Sequence, residues 1–312
     1  MPISINDVIS ILDEMDMLRV GAEGGPPTNW GGGPTNWSES ASEYPVDWKK
    51  VAEPRLPNPD EDLEFLPGDE WREVLDDLES EQVREKHTPE EPNIDVLAWY
   101  QPIHYYGREW GIYIYESAIV DTAKSIISYL PYYRRYQSDA KVGALRSALQ
   151  TLFLHEVFHH KVEGFAIMLE VIGRKSHYAP YKESVYQPLL GTDDVIEEGL
   201  ACAEMKKRLV ESTYRRDVPD DVWDAAQRML EDWIYRLPPG YRTGIDFLDE
   251  WRFERAWDQL STQIQEASPV PTRNPNELKL ARRAYRGLLS CRNTTQVVIP
   301  VGLAPRIPWL RP

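Results

Sequence analysis

Residues 145–173 read LRSALQTLFLHEVFHHKVEGFAIMLEVIG. This run is almost wholly apolar, which predicts a buried helix. At positions 155–159 it contains HEVFH, which has the pattern H-E-x-x-H. Because residues four apart lie one above the other on a helix, His155 and His159 are expected to direct both imidazoles to one point in space. Such a pair of nitrogens suits a metal ion, and Glu156 beside it can act on a metal-bound water without being a ligand.

The surroundings of the motif favour a metal. At 100° per residue, one side of the predicted helix carries His155 and His159 together with Glu156, Glu163 and Glu170. Burying two histidines and a file of carboxylates is costly unless something compensates them, and a metal ion would do so. The alternative is a core helix whose histidines bond to backbone carbonyls and whose glutamates pair with arginines. Two histidines four residues apart, with a glutamate between them, favour the metal.

The third ligand has to come from elsewhere, because a catalytic zinc site usually has three protein ligands. Donors at i, i+4 and i+8 span about 12 Å along a helix, so Glu163 cannot complete the site. The helix predicted from residue 195 places Glu198 on an apolar flank and Glu197 on the polar side. A carboxylate on an apolar face needs a cation, so Glu198 is the predicted third ligand, and the small Gly199 would let the two helices approach closely. Glu163 is predicted either to orient a ligand imidazole or to form an ordinary buried salt bridge.

The motif at 155–159, followed by EGLA at 198–201, resembles the gluzincin class of zinc metallopeptidases. The EGLA stretch is similar to the E-G-F-A stretch of zinc aminopeptidases, and the resemblance covers about residues 110–215. It implies a zincin-like core in which His155, His159 and Glu198 bind zinc. It also implies peptide-bond hydrolysis with Glu156 as general base on a zinc-bound water.

Such hydrolysis would need a hydrogen-bond donor for the oxyanion besides the metal. Five side chains stay open for this role: His177, Tyr178, Tyr181, Tyr186 and Tyr214. Four of them lie in the connection 174–192. Connections longer than about twelve to fifteen residues are uncommon unless functional, so this one is expected to form a wall or lid of the site.

Composition limits the class of protein. The net charge is −16, and the first 95 residues carry 24 acidic and 7 basic side chains, so a nucleic-acid partner is not expected.

No run of eighteen apolar residues occurs, so neither a membrane span nor a membrane partner is expected. The start of the chain does not predict a secretory signal. Two cysteines, Cys202 and Cys291, suit a reducing compartment, which predicts the cytoplasm. The expected partners are Zn2+ and a peptide or protein substrate.

The N-terminal third predicts an accessory arm. Residues 3–20 have the spacing of a short amphipathic helix, and residues 24–37 read GGPPTNW followed by GGGPTNW. Residues 38–67 are polar, acidic and rich in proline, so we expect them to be irregular. The arm is interpreted as a docking peptide for a protein partner or as a strap on the body.

The remainder predicts a mostly helical α+β fold with a small antiparallel sheet beside the metal helix. Strands are expected at 94–100 and 112–116, with 112–115 as the candidate edge for a substrate backbone or as a purely structural strand. Asp139 is the predicted N-cap of the metal helix, and Asp193 or Asp194 that of the helix from residue 195. Further helices are predicted at residues 69–87, 117–130, 195–214, 219–235, 245–265 and 276–290, with a last strand at 295–301 and a proline-rich tail at 304–312.

These elements predict three regions. They are an acidic arm rich in glycine, proline and tryptophan at 1–68, a zincin-like catalytic core at 69–217, and a helical region with a proline-rich tail at 218–312.

Two interpretations from other classes remain open. The first is an interaction protein with a structural zinc site, in which the acidic, tryptophan-bearing arm binds the partner. The second is a dinuclear carboxylate oxidase, because residues 156–159 also read E-x-x-H. Bundles of that class need the stretch twice, and it occurs once.

Overall fold

The computed structural model describes residues 5–19, 78, 97–107, 110–209, 218–269, 276–281 and 298–301. The predicted arm from residue 21 to residue 68 and the tail lie outside these residues, and so does the predicted helix at 69–87 apart from Leu78. Over the described residues the chain is mostly helical with one small sheet, as predicted. A search of the described helices finds no segment with the length and hydropathy of a membrane span.

The described α-helices include α1 Ile5–Glu14, α2 Ile103–Tyr106, α3 Glu116–Ser128, α4 Ser138–Gly173, α5 Tyr178–Tyr181, α6 Ile196–Leu209, α7 Asp220–Ile234 and α8 Glu250–Glu266. Six of these eight overlap predicted helices, whereas the short helices α2 and α5 form in stretches that were predicted as connections. A π-helical turn, Lys182–Tyr186, and a last turn, Gln187–Leu189, continue α5. Two 3-10 helices, Tyr132–Arg134 and Tyr241–Leu248, complete the set. Residues 276–281 are also helical, and the rest of the helix predicted at 276–290 lies outside the described residues.

The start of the helix predicted at 245–265 is wrong, because the chain first forms the 3-10 helix Tyr241–Leu248. The α-helix α8 begins only after Asp249. The carboxylate of Asp249 accepts a hydrogen bond of 2.9 Å from the backbone N–H of Arg252 and so caps the new helix.

The sheet contains β1 Ala98–Gln101, β2 Gly111–Tyr115 and β3 Val298–Val301, in the order β1-β2-β3. Strands β1 and β2 pair antiparallel, as predicted, and β3 adds to β2 in parallel. The prediction of 112–115 as a substrate-binding edge is therefore wrong. Both sides of β2 are already paired with other strands, so its backbone cannot receive another chain by strand addition.

The long helix α4 runs through the core of the described structure. It has 36 residues, and most of its side chains are buried on every side, as its apolar sequence predicts. One hydrophobic cluster packs α4 against α3, α7 and the strands β1 and β2. A second packs its C-terminal half against α5, α6 and α8. Both hydrophobic clusters include residues of helices beyond residue 218, which belong to the predicted C-terminal region. Ile9 and Leu12 of α1, from the predicted N-terminal region, are buried in the first cluster. The division into three regions remains a prediction.

The predicted N-cap of α4 is wrong. The helix begins at Ser138 with Gln137 as its N-cap, and no side chain makes a capping hydrogen bond there. Asp139 lies in the first turn instead, where a negative charge is favoured by the helix dipole, and it pairs with Arg134 at 3.1 Å.

The predicted N-cap of α6 is also wrong. The helix begins at Ile196, which places neither Asp193 nor Asp194 at the capping position. The carboxylate of Asp193 accepts hydrogen bonds from the backbone N–H of Gly240, at 3.1 Å, and from the guanidinium of Arg242, at 2.6 Å. Asp193 therefore ties the start of α6 to the 3-10 helix that follows Gly240.

Candidate metal site

Two packed helices supply the side chains of the site. His155 and His159 lie one turn apart in the middle of α4, and Glu198 lies in the first turn of α6, which packs against α4. The three side chains, called the metal cluster below, are buried: His155 and Glu198 have no exposed surface, and His159 is 7% exposed. The structure therefore brings together the three residues predicted as ligands.

The donor atoms of the metal cluster form a nearly regular triangle. The Nε2 atoms of His155 and His159 are 3.4 Å apart, and Glu198 Oε2 lies 3.4 Å from the first and 3.5 Å from the second. These separations are longer than good hydrogen bonds between such groups. Two atoms bound to one tetrahedral zinc at about 2.0–2.1 Å lie about 3.3–3.4 Å apart, so the triangle fits one face of a zinc tetrahedron.

The two carboxylate oxygens of Glu198 have different surroundings. Its Oε1 accepts a hydrogen bond from the hydroxyl of Tyr186. Its Oε2 is buried and, among the described residues, makes no hydrogen bond, with the two imidazole nitrogens 3.4 and 3.5 Å away as its polar neighbours. A buried carboxylate oxygen without a hydrogen bond is costly, and a metal ion at the centre of the triangle would remove that cost.

The second nitrogen of His159 is held by a carboxylate. His159 Nδ1 donates a hydrogen bond of 2.7 Å to Glu197 Oε1, which leaves Nε2 to face the other two donors. The prediction that Glu197 lies on the polar side of its helix is wrong, because this side chain is fully buried. The segment that follows α5 covers that side of α6: Lys182 Nζ donates to Glu197 Oε1 at 3.0 Å, and the Tyr181 hydroxyl donates to Oε2 at 2.7 Å.

The surroundings of the His155 imidazole are less polar than those of the His159 imidazole. Its Nδ1 lies 3.8 Å from the sulfur of the buried Cys202, and its ring stacks on that of Tyr241 with centroids 6.0 Å apart. The sulfur is on the far side of the imidazole from Nε2, so Cys202 contacts a predicted ligand histidine without belonging to the triangle.

The charges of the metal cluster are set by burial and by each other. Burial opposes charge on His159, but Glu198 and Glu197 outweigh it and raise the pKa of His159 to about 10. Burial also opposes charge on Glu198, and the imidazoles of His159 and His155 hold its pKa well below the usual range. A divalent metal bound to His159 would therefore have to displace the proton that the carboxylates stabilise on this imidazole.

Glu156, the predicted general base, follows His155 on α4 and is 1% exposed. Glu163, the other carboxylate considered for the site, does not contact either ligand histidine. Gly199 does not serve the approach of α6 to α4 as predicted, because a Cβ there would collide with Thr243 and Phe247 of the 3-10 helix. It instead allows α6 to lie against that 3-10 helix.

Glu163 belongs to a second buried cluster, called the His104 cluster below, which comprises His104, Glu163 and Glu170. His104 Nδ1 contacts Glu163 Oε1 at 2.6 Å, and Nε2 contacts Glu170 Oε2 at 2.7 Å. The alternative prediction for Glu163, a buried salt bridge, is therefore confirmed. Burial opposes charge on His104, but the two carboxylates outweigh it and raise its pKa to about 10.

Each carboxylate of the His104 cluster also receives backbone donors. Glu163 accepts from the N–H groups of Ile103 and His104 at the start of α2, at 3.0 and 2.9 Å. Glu170 accepts from those of His177 and Tyr178 at the start of α5, at 2.7 and 2.9 Å. The cluster thus anchors two short helices to α4.

The segment predicted as the connection 174–192 forms the helical turns between Tyr178 and Leu189, and it contacts the metal cluster through Tyr186. Its role as a wall or lid remains a prediction. Of the predicted oxyanion donors, Tyr186 contacts Glu198, and Tyr181 contacts Glu197. His177 and Tyr178 belong to the surroundings of the His104 cluster, and Tyr214 lies outside the described residues.

Sequence reasoning missed Glu197 and Lys182. The signal for Glu197 was available, because a ligand imidazole needs an acceptor at its other nitrogen and Glu197 adjoins the predicted ligand Glu198. No local pattern marks Lys182. Comparisons of the chain with protein-family models, with curated proteins and with solved structures find no match.

Proposed function

We propose that the chain is a zinc-dependent peptide hydrolase of gluzincin type, built on a zincin-like core. In this proposal His155, His159 and Glu198 hold the metal and Glu156 is the general base. The observation that carries it is the triangle of donor atoms with edges of 3.4–3.5 Å, one face of a zinc tetrahedron, on a helix that reads H-E-x-x-H.

The roles of the residues follow from their positions. When bound, zinc would supply a Lewis acid that activates water and polarises the substrate carbonyl. Glu156 would accept the proton of the attacking water and return it to the leaving amine. The hydroxyl of Tyr186 already donates its proton to Glu198 Oε1, so Tyr186 would hold this carboxylate in place rather than stabilise the oxyanion.

A peptide or protein substrate follows from this chemistry. The cytoplasmic location belongs to the same proposal and is supported by the low cysteine content, since the sequence contains two cysteines. A protein partner for the N-terminal arm remains a prediction, because the arm lies outside the described residues.

The test is zinc content together with a peptide-library digest of the full-length chain. We expect one zinc per chain and cleavage that a chelator abolishes. Glu156→Gln should keep the zinc and lower the cleavage rate by about 10²–10⁴-fold, the usual contribution of a general base. Glu250→Gln, which changes an exposed carboxylate paired with Lys207, is the matched control and should cleave normally. Undiminished cleavage by Glu156→Gln would exclude the assigned base.

One observation favours a second function, an interaction protein with a structural zinc site. All three predicted ligands are nearly inaccessible, with at most 8% of any side chain exposed, and so deep a site would give a substrate little access to the metal. The same experiment separates the two functions. A structural site predicts one zinc per chain and no cleavage of any peptide, and removal of the zinc should then unfold the protein.

A further inference from the structure

Lys182 is a buried lysine beside the metal cluster. It is 4% exposed and begins the π-helical turn Lys182–Tyr186. Its ammonium group lies 3.0 Å from Glu197 Oε1 and 3.4 Å from the centre of the Tyr186 ring. A buried ammonium group is costly unless it is paired, so these two contacts explain how the lysine is accommodated.

The contacts of Glu197 link Lys182 to a metal ligand. Glu197 Oε1 receives both Lys182 Nζ and His159 Nδ1, at 3.0 and 2.7 Å, and Oε2 receives the Tyr181 hydroxyl at 2.7 Å. The carboxylate is therefore held by three donors and has one orientation. That orientation fixes the ring of His159 with Nε2 toward the centre of the triangle.

The widened backbone of the π-helical turn brings these groups together. Such turns bond residue i to i+5 and often occur at functional sites. Tyr181, immediately before the turn, and Lys182, its first residue, both contact Glu197. Tyr186, its last residue, contacts Glu198 through its hydroxyl. One turn thus holds the two consecutive acidic residues that begin α6.

We propose that this π-helical turn positions the metal cluster, with Lys182 as its main positioning residue. Lys182 holds Glu197, and Glu197 holds the imidazole of His159 in its metal-binding orientation. The proposal rests on the metal site of the proposed function but not on hydrolysis. Changing groups that orient ligands typically lowers metal affinity by about 10–100-fold, which is the effect expected here.

The chain offers a matched control in Lys161. This lysine is 6% exposed and pairs with Glu204, so that it also forms a buried lysine–glutamate bridge to α6. None of the contacts described for Glu204 involves a residue of the metal cluster. Lys161→Met therefore reproduces the loss of a buried ion pair without touching the proposed positioning contact.

The experiment measures the zinc dissociation constant of the full-length chain by competition with a chromophoric chelator, and the visible spectrum of its Co2+ form. Lys182→Met should bind zinc about 10–100-fold more weakly than wild type and change the Co2+ spectrum. Lys161→Met should lower the melting temperature while leaving affinity and spectrum as in wild type. Equal affinity in Lys182→Met and wild type would overturn the role of Lys182 alone, whereas a wild-type chain that binds no zinc would overturn the metal site itself.

A milder variant keeps the proposal testable if Lys182→Met does not fold. Tyr181→Phe removes only the hydroxyl that donates to Glu197 Oε2. It should weaken zinc binding by about tenfold, the lower end of the expected range, with the Co2+ spectrum shifted in the same direction. Wild-type affinity in this variant would contradict the proposal.

Discussion

The metal cluster, with two histidines and one glutamate, and the His104 cluster, with one histidine and two glutamates, contain the same two kinds of side chain but differ in how the ring nitrogens are paired. In the His104 cluster both ring nitrogens meet carboxylates, at 2.6 and 2.7 Å, so the imidazole has no nitrogen left for a ligand. In the metal cluster only Nδ1 of His159 meets a carboxylate so closely, at 2.7 Å from Glu197. Its Nε2 instead lies 3.4 Å from His155 Nε2 and 3.5 Å from Glu198 Oε2.

The difference separates the structural role of His104 from the metal-binding role proposed for His159. Burial and a raised pKa do not distinguish them, since both histidines are buried and both have a pKa of about 10. The distances do, because donors that satisfy each other are at hydrogen-bonding distance, whereas donors arranged around an ion are separated by the edge of its coordination polyhedron. On this ground we expect the two clusters to respond oppositely to zinc and to substitution.

The largest expected difference is in zinc binding. Glu198→Gln removes the charged donor of the metal cluster. Substitution of a residue that only orients a ligand typically lowers metal affinity by about 10–100-fold, and the loss of zinc affinity in Glu198→Gln should be larger. Glu163→Gln, the same substitution in the His104 cluster, should retain one zinc per chain. Chelator competition on both variants checks this, and loss of zinc from Glu163→Gln but not from Glu198→Gln would reverse the assignment.

The next effect is on folding. His104→Gln leaves the buried carboxylates of Glu163 and Glu170 without their cation, which should lower the free energy of unfolding by about 3–5 kcal/mol. Urea denaturation measures the loss. A zinc titration of the folded variant should still reach one equivalent, and a stability equal to wild type would show that the His104 cluster is not the anchor inferred from its contacts.

Zinc should stabilise the folded protein only by binding to the metal cluster. At a free concentration about 100 times its dissociation constant, zinc should raise the free energy of unfolding by about 2.7 kcal/mol in the wild type. His104→Gln should show the same increment, and Glu198→Gln should show none at that concentration. Thermal unfolding with and without zinc provides the measurement, and an equal increment in Glu198→Gln would place the ion elsewhere.

The smallest effect is on the pH dependence of stability. The pKa of His104 is raised from 6.5 to about 10 because its carboxylate partners outweigh burial. Its stabilising contribution is therefore complete below pH 6.5 and is lost as the pH rises toward 10, at about 1 kcal/mol per pH unit. Denaturation of the zinc-loaded protein between pH 7 and 9 should show this decline, and His104→Gln should show a flatter profile. Equal slopes in the two proteins would contradict the assignment.

Features set by local spacing could be predicted from the sequence. The positions of His155 and His159 on one helix face follow from a four-residue interval. The position of Glu198 facing them follows from the apolar flank of a single helix. The buried α4 and the antiparallel pairing of β1 with β2 were predictable for the same reason.

Features made by distant segments could not be predicted. The error for β2 arises because β3 joins it from about 180 residues farther along the chain. His104 lies 59 residues before Glu163, so no local pattern links them. The burial of Glu197 depends on the segment around Lys182, which a projection of α6 alone does not include.

X-ray absorption at the zinc edge of the zinc-loaded, full-length chain tests the central claim most directly. The account predicts one zinc per chain bound to two imidazole nitrogens and a carboxylate oxygen at about 2.0–2.2 Å, with one further light atom. A sulfur ligand at about 2.3 Å, or a zinc ion without imidazole ligands, would contradict it.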